Sequence, residues 1–178
     1  MKNSSREQVL KTAFEQHLPE WFALVRRAMP WRVNRTPYRV WVAEIMLQQT
    51  RADQAAPYYR RFVRTFPSVR ALARASLRDV LKAWEGMGYY ARARNMHKTA
   101  QHLMNTRGGR FPRTYEELKQ LPGIGSYTAA AIGSLAMNLD VAVVDGNVIR
   151  VLSRVFGVDE PVDTAAGRRI IQGFAESL

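Results

Sequence analysis

Helical periodicity is the feature that most constrains how this 178-residue chain can fold. Apolar residues recur three and four positions apart, and no segment of strand length alternates between apolar and polar residues. We therefore predict an all-α protein. The predicted helices cover residues 7–29 with a break near Pro19, 38–49, 52–66, 77–84, 91–106, a short one ending at 121, a segment after 125, 147–156 and a final one capped by Asp163. Ser76, three residues before Asp79, and Thr114, three before Glu117, are predicted to cap the helices that follow them.

The charge balance favours a polyanionic partner. Lys and Arg number 27 against 15 Asp and Glu, which gives a net charge of +12 and an isoelectric point near 10.7. Nucleic acid is the simplest partner for such a surplus, and a basic protein without that role is the alternative. The N-terminus "MKNSSREQVL" has no hydrophobic signal core, and no apolar stretch approaches the roughly 20 residues of a membrane span. We expect a monomeric, cytoplasmic protein that associates with DNA and not with membranes.

Cysteine is absent from the chain, so no metal site is predicted in it. Zero cysteines exclude a disulfide, a thiolate metal site and a cysteine nucleophile within this sequence. The three histidines do not form a pattern of metal ligands. Any chemistry must therefore rest on carboxylates, hydroxyls, amides and basic groups.

A glycine turn in "LPGIGSYTA", residues 121–129, indicates a phosphate-binding hairpin. Pro122 and Gly123 suit a tight turn, and Gly125 allows a ligand to approach the backbone closely before the next helix starts. Amides at a helix N-terminus attract phosphate. With 116–121 as its first helix, the segment is predicted to be a helix-hairpin-helix element. The alternative is a purely structural turn between two helices.

Two carboxylates stand out as candidate catalytic groups. Glu44 shares a helix face with apolar residues, a setting that should raise its pKa and suit a general acid. The alternative is a glutamate that reaches solvent or pairs with Arg39 or Arg51. Asp145 precedes "GNVIRVL", so its default role is a helix N-cap.

Four segments together resemble the adenine DNA glycosylases of the MutY type, in the helix-hairpin-helix DNA glycosylase superfamily. They are "PWRVNRTPYRVWVAEIMLQQTR", "LKAWEGMGYYARARNMHK", "LPGIGSYTAAAIGSLA" and "VVDGNVIRVLSRVFGV". The resemblance runs from about Trp21 to the end of the chain and implies two helical lobes with the active site between them. Residues 30–140 would form a helical barrel domain containing the hairpin near 121–126. Residues 1–29 and 141–178 would form part of the second lobe.

The resemblance also implies roles for the residues of the active site. Glu44 would protonate the adenine ring and then help to direct water, and Asp145 would stabilise the positively charged sugar. This is the logic of glycoside hydrolysis, applied to a base that must first leave the duplex. Tyr127 and Asn147 would line the same pocket, with Arg32 beside it.

The resemblance also implies that several further residues contact DNA. Gln49 would insert into the duplex near the lesion, and Tyr89 would form an aromatic wedge on the other side. For Tyr89 and Tyr90 the alternative is core packing, which we favour for Tyr90. The remaining predicted DNA contacts are the hairpin residues Gly123, Gly125 and Ser126, together with Gln48, Arg92, Arg94 and Lys98. Each cation could instead be a solvated surface charge.

The function implied is that of a monofunctional adenine glycosylase acting on adenine opposite 8-oxoguanine or guanine. Endonuclease III-like relatives carry a lysine at the position of Tyr127, and tyrosine cannot form their Schiff base. The alternatives are a non-catalytic DNA-binding module, a thymine-mismatch glycosylase or an endonuclease III-like enzyme. A 4Fe–4S cluster and a domain that recognises 8-oxoguanine are expected in full-length relatives, beyond Leu178, so we predict that the chain is truncated and its second lobe incomplete.

Overall fold

The computed structural model of the protein describes the backbone of residues 2–178 and the side chains of residues 7–178. Within that range the chain is helical and contains no strand, which confirms the all-α prediction. A short 3-10 helix occupies Pro30–Arg32. The α-helices are α1 (Lys2–Val25), α2 (Pro37–Leu47), α3 (Ala52–Thr65), α4 (Val69–Arg74), α5 (Leu77–Ala83), α6 (Ala91–Arg107), α7 (Tyr115–Lys119), α8 (Ser126–Met137), α9 (Gly146–Phe156) and α10 (Ala165–Glu176).

Side-chain caps fix where several helices begin. The hydroxyl of Ser76 accepts a hydrogen bond from the amide of Asp79, and that of Thr114 accepts one from the amide of Glu117. Both caps were predicted from the sequence and are confirmed. Each such cap stabilises a helix by about 1 kcal/mol because it satisfies an amide that has no partner within the helix.

Three features differ from the prediction. Pro19 lies inside a continuous α1, because proline disrupts only one turn and the neighbouring turns continue. The short helix α4 was not predicted, and Ser68 caps it. The cap of α10 is Thr164, whose hydroxyl accepts from the amide of Gly167, so the prediction of Asp163 was wrong by one residue.

The chain divides into two compact units, and the larger comprises residues 29–140. Its core is aromatic: Trp41 contacts Phe111 edge to face, and Phe62 contacts Trp84 in the same way. Such pairs contribute about 0.5–1.5 kcal/mol beyond the burial of their area. Helix α8 packs against α2, and its buried residues are mostly small: Thr128, Ala129, Ala130, Ala131, Ile132 and Gly133. Small side chains let two helix backbones approach closely, which brings the first turn of α8 to the middle of α2.

The smaller unit combines residues 1–28 with residues 141–178. Phe156 of α9 stacks on Phe14 of α1, at 6.2 Å between ring centroids, and on Phe174 of α10, at 4.2 Å. Ile171 is buried, whereas Ile170 remains 41% exposed. The apolar face of α10 therefore packs on α9.

The net positive charge is concentrated in the larger unit. Residues 29–140 contain 18 of the 27 basic residues and 7 of the 15 acidic ones, which gives that unit +11. The smaller unit, with nine basic and eight acidic residues, carries only +1. Electrostatic attraction to a polyanion therefore acts mainly on the larger unit.

Candidate active site and nucleic-acid interface

Glu44 lies in the middle of α2 and is 8% exposed. The hydroxyl of Tyr127, in the first turn of α8, donates a hydrogen bond of 2.8 Å to its Oε2. A buried carboxylate needs such a partner, because an unsatisfied one carries a large desolvation cost. The structure therefore brings these two predicted site residues together and fixes the orientation of the carboxylate.

Asp145, in the smaller unit, is the N-cap of α9. Its Oδ1 accepts hydrogen bonds from the amides of Asn147 (2.9 Å) and Val148 (2.8 Å), and its Oδ2 accepts one from Asn147 Nδ2 at 3.0 Å. Arg150 in turn donates to Asn147 Oδ1 at 3.3 Å. The predicted N-cap is confirmed. The same bonds hold both carboxylate oxygens in a fixed position beside the positive end of α9.

The glycine turn joins α7 to α8, as predicted for a helix-hairpin-helix element. Gly123 has φ of +73°, a conformation that strongly favours glycine. Gly125 has φ of −83°, and a Cβ placed on it would meet no atom within 4 Å. Neither backbone conformation nor internal packing therefore requires glycine at 125. Gly125 and Ser126 are exposed at the start of α8, which has no side-chain cap.

The turn after α2 exposes both glutamines. Gln48 follows the last residue of the helix, and Gln49 adopts φ of +57°. A second exposed turn carries Tyr89, with φ of +47° and 64% of its surface accessible. Tyr90 is 39% exposed, so the interpretation of Tyr90 as a core residue was wrong.

Arg92 has an internal role that its sequence context did not predict. Its Nη1 donates to the carbonyls of Ile45 (2.9 Å), Met46 (3.2 Å) and Gln48 (2.6 Å), and its Nη2 donates to those of Met87 (3.2 Å) and Gly88 (3.4 Å). Burial lowers the pKa of the Arg92 guanidinium, and the nearby Tyr89 partly offsets this. We therefore replace the predicted phosphate contact of Arg92 with a structural role.

The other predicted cations have different surroundings. Arg94 and Lys98 are exposed on α6, two and six residues after Arg92. Arg32 is half-buried at the end of the 3-10 helix. Exposed cations on one helix are suited to phosphate, because they can reach the DNA backbone and displace its counterions.

Two residues that lie against the hairpin were not predicted from the sequence. Thr99 is buried, and its hydroxyl lies within hydrogen-bond distance of the Pro122 carbonyl. Asn95 Cβ would be 3.4 Å from a Cβ at Gly123. Together with Arg92 and Gln48, these residues line a crevice of about 50 Å³. Arg92, Asn95 and Thr99 follow one another at spacings of three and four residues on α6. This spacing is the sequence signal that could have shown that they share one face of the helix.

The residues of this chain do not suit an iron–sulfur cluster. Such clusters are held by cysteine thiolates, or by histidine in place of some of them, and the sequence has no cysteine. Among residues 7–178, no group of three or more His, Asp and Glu side chains could hold a metal ion. None of the helices in the described part of the chain has the length and apolarity that crossing a membrane requires.

These features agree with comparison to known proteins: the chain belongs to the HhH-GPD superfamily of base excision DNA repair proteins, whose family model matches residues 42–173. It is similar to the adenine DNA glycosylase of Buchnera aphidicola (Acyrthosiphon pisum), with 44% identity over 149 residues, or 83% of this chain and 43% of that protein. Human adenine DNA glycosylase is 40% identical over 176 residues, which cover 94% of this chain and 32% of that protein. The chain thus spans less than half the length of these relatives.

Solved structures give the same fold. A thermostable thymine-DNA glycosylase superposes with a TM-score of 0.84 at 26% identity, covering 98% of this chain and 80% of that one. Endonuclease III in a non-covalent DNA complex gives a TM-score of 0.73 at 23% identity, covering 92% and 75%. The helix-hairpin-helix glycosylase fold is therefore confirmed.

Proposed function

We propose that this chain catalyses hydrolysis of the N-glycosidic bond of adenine opposite 8-oxoguanine or guanine in duplex DNA. The observation that carries the proposal is the buried Glu44 carboxylate held by Tyr127, within a chain of a base excision repair family. The similarity to adenine DNA glycosylases supports adenine as the base.

Glu44 is proposed to supply the proton that makes adenine a leaving group. Its carboxyl proton passes to a ring nitrogen of adenine, and the bond between the sugar C1′ and the base then breaks with its electron pair going to the base. The resulting carboxylate takes a proton from the water that attacks C1′, so Glu44 ends the cycle protonated. Burial of the Glu44 carboxyl group suits this role because it limits exchange of the carboxyl proton with solvent.

Asp145 is proposed to stabilise the sugar cation that forms when adenine leaves. Its carboxylate is oriented by two backbone amides and by Asn147, so little reorganisation is needed when positive charge develops. Asn147, itself bonded to Arg150, is proposed to keep Asp145 in that orientation.

Tyr127 supports a monofunctional reaction. A lyase forms a Schiff base between an amine and C1′ of the sugar, and a phenol cannot form one. The Tyr127 hydroxyl also donates to Glu44, which commits it to positioning the acid. The proposed product is therefore an abasic site in an intact strand.

The partner proposed is duplex DNA, bound mainly by the larger unit. The hairpin residues Gly123, Gly125 and Ser126 present backbone amides that suit a phosphate, and Arg94 and Lys98 are exposed cations. Arg32 is proposed to lie beside the pocket. Gln49 and Tyr89, exposed on two separate turns, are proposed to insert into the duplex, with Gln48 facing the DNA. A stacked aromatic ring contributes about 1–3 kcal/mol per base.

The direct test is incubation of this 178-residue chain with a duplex containing one adenine opposite 8-oxoguanine. We expect free adenine, detected by chromatography, and strand breaks only after alkali treatment. Borohydride should trap no covalent adduct. A control duplex pairing the adenine with thymine should react far more slowly.

The main rival is a DNA-binding module without catalysis. It predicts salt-sensitive binding to the same duplex but no adenine release. Spontaneous strand cleavage together with a trapped adduct would instead favour an endonuclease III-like lyase. Release of thymine from a G·T duplex, without release of adenine, would favour a thymine-mismatch glycosylase.

Gly125→Ala should weaken DNA binding about tenfold and lower stability by no more than about 1 kcal/mol, because Gly125 is the N-cap of α8 and alanine is a poorer N-cap than glycine. The added methyl group meets open space in the protein but would displace a phosphate from the amides, at a loss of about 1.4 kcal/mol. Fluorescence anisotropy with a labelled duplex measures the dissociation constant. Gly123→Ala is a contrast in stability, because the positive φ at 123 should cost about 1–2 kcal/mol of folding free energy. Unchanged affinity for Gly125→Ala would make the hairpin a structural turn only.

A further inference from the structure

The Arg92 guanidinium connects two turns that lie far apart in the sequence. One nitrogen binds carbonyls at the end of α2, including that of Gln48, and the other binds carbonyls of Met87 and Gly88. The first turn contains Gln49, and the second leads into Tyr89. A single side chain on α6 therefore joins the backbones that present both residues.

Both turns have an unusual backbone conformation. Gln49 (φ +57°) and Tyr89 (φ +47°) are two of only three non-glycine residues with positive φ in the described part of the chain; the third, Asn138, ends α8. Such conformations persist in non-glycine residues when surrounding contacts enforce them, and they concentrate at functional sites. The Arg92 bonds to adjacent carbonyls are contacts of this kind.

We propose that Arg92 is a positioning residue that couples the Gln49 turn to the Tyr89 turn, so that both side chains enter the duplex together. The inference rests on the proposed function, because insertion requires DNA. It goes beyond that function in one respect. An internal arginine, and not contact with DNA, would make Gln49 and Tyr89 insert together.

The surroundings of Arg92 suit this role better than phosphate binding. Its Nε is buried and has no hydrogen-bond partner among the described residues. The guanidinium carbon lies 5.4 Å from the centre of the Trp84 ring and 5.3 Å from that of Tyr89. Trp84 is fully buried and Tyr89 is mostly exposed, so the cation links a fixed ring to the ring proposed to insert. A guanidinium has five N–H donors in one plane and a face that can stack on a ring, whereas an ammonium has only three donors and no planar face.

Arg92→Lys is the test variant, and Arg61→Lys is its matched control. Arg61 also donates to two backbone carbonyls, those of Ala83 and Glu85, and lies over the Tyr58 ring, but it donates to none of the carbonyls of 45–48 or 87–88 that Arg92 joins. Hydrogen exchange of the free proteins, measured by mass spectrometry, should show at least tenfold faster exchange at 48–50 and 87–90 in Arg92→Lys only. Unchanged exchange at either turn would overturn the proposal, whether or not the protein releases adenine.

A duplex containing 2-aminopurine next to the adenine reports unstacking in the bound state. At saturating protein, Arg92→Lys should lose most of the fluorescence gain, whereas Arg61→Lys should retain it.

The dependence of affinity on salt should be unchanged for Arg92→Lys. For Arg94→Ala, which removes a proposed phosphate contact, the slope should fall by about 0.9. A similar fall for Arg92→Lys would make it a phosphate contact and overturn the proposal.

A double-mutant cycle tests the coupling in protein that retains Arg92. Gln49→Ala and Tyr89→Ala alter exposed side chains, so the fold should persist even if Arg92→Lys proves unstable. If the turns act as one unit, either substitution alone should remove most of the unstacking signal, and the double variant should add less than twofold. Additive effects would overturn the coupling. If the wild-type chain bound DNA and unstacked the base without releasing adenine, the proposed function would fail while the coupling stood.

Discussion

Glu44→Gln is expected to slow adenine release by about 10²–10⁴-fold, the range typical of a lost general acid. The amide cannot protonate the ring nitrogen at neutral pH, so the base would have to leave as an anion. The amide oxygen can still accept the hydrogen bond from Tyr127, so the local structure should persist. Single-turnover kinetics with excess protein measures the chemical step separately from product release.

Binding should distinguish this effect from unfolding or lost affinity. Glu44→Gln should bind the mismatched duplex about as tightly as the wild type, because a neutral amide replaces the neutral protonated acid and can keep the hydrogen bond from Tyr127. Glu116→Gln is the matched control, since Glu116 is an exposed glutamate of α7 that pairs with Lys119. It should leave the rate unchanged. A wild-type rate for Glu44→Gln would eliminate the proposed chemistry.

Asp145→Asn should reduce the same rate by about 10²–10³-fold, the size of effect seen when one preorganised electrostatic group is removed. The neutral side chain cannot stabilise a sugar cation. Asparagine caps helices about as well as aspartate, so α9 should remain intact. We expect a melting temperature close to that of the wild type, measured by circular dichroism, together with the slower release.

Two further substitutions separate capping from chemistry at Asp145. Asp145→Ser keeps a good N-cap without a carboxylate and should be as slow as Asp145→Asn. Asp145→Ala removes the cap as well and should cost about 1 kcal/mol of folding free energy. Near wild-type rates for the serine and asparagine variants, with a lower melting temperature for alanine, would assign Asp145 a capping role only.

Much of the helical framework could be predicted, because the signals that start helices are local. Ser76 and Thr114 cap the helices that follow them, as their spacing from Asp79 and Glu117 indicated. The helix α4 was missed because its six residues contain too few turns to show a period. The cap of α10 was misplaced by one residue because both Asp163 and Thr164 are good capping types, and backbone geometry decided between them.

The contacts of the site were harder to predict, because they join distant parts of the chain. Apolar neighbours on α2 indicated a shielded Glu44, but its partner Tyr127 lies 83 residues away and is placed by the packing of small residues between α2 and α8. The prediction for Arg92 was a phosphate contact like those of Arg94 and Lys98, with a solvated surface charge as the alternative. Only the fold shows that the carbonyls at the end of α2 surround its guanidinium. Local patterns identify residue types, and tertiary packing assigns their partners.

The uneven distribution of charge has a consequence for how such a chain would search a genome. Most of the counterions displaced from any duplex would be displaced by residues 29–140, whether or not a mismatch is present. Residues 141–178, which include Asp145, contribute almost nothing to that non-specific attraction. Undamaged DNA could therefore be held and scanned through one part of the chain, while Asp145 would gain its favourable interaction only once a base has departed and left a cationic sugar behind.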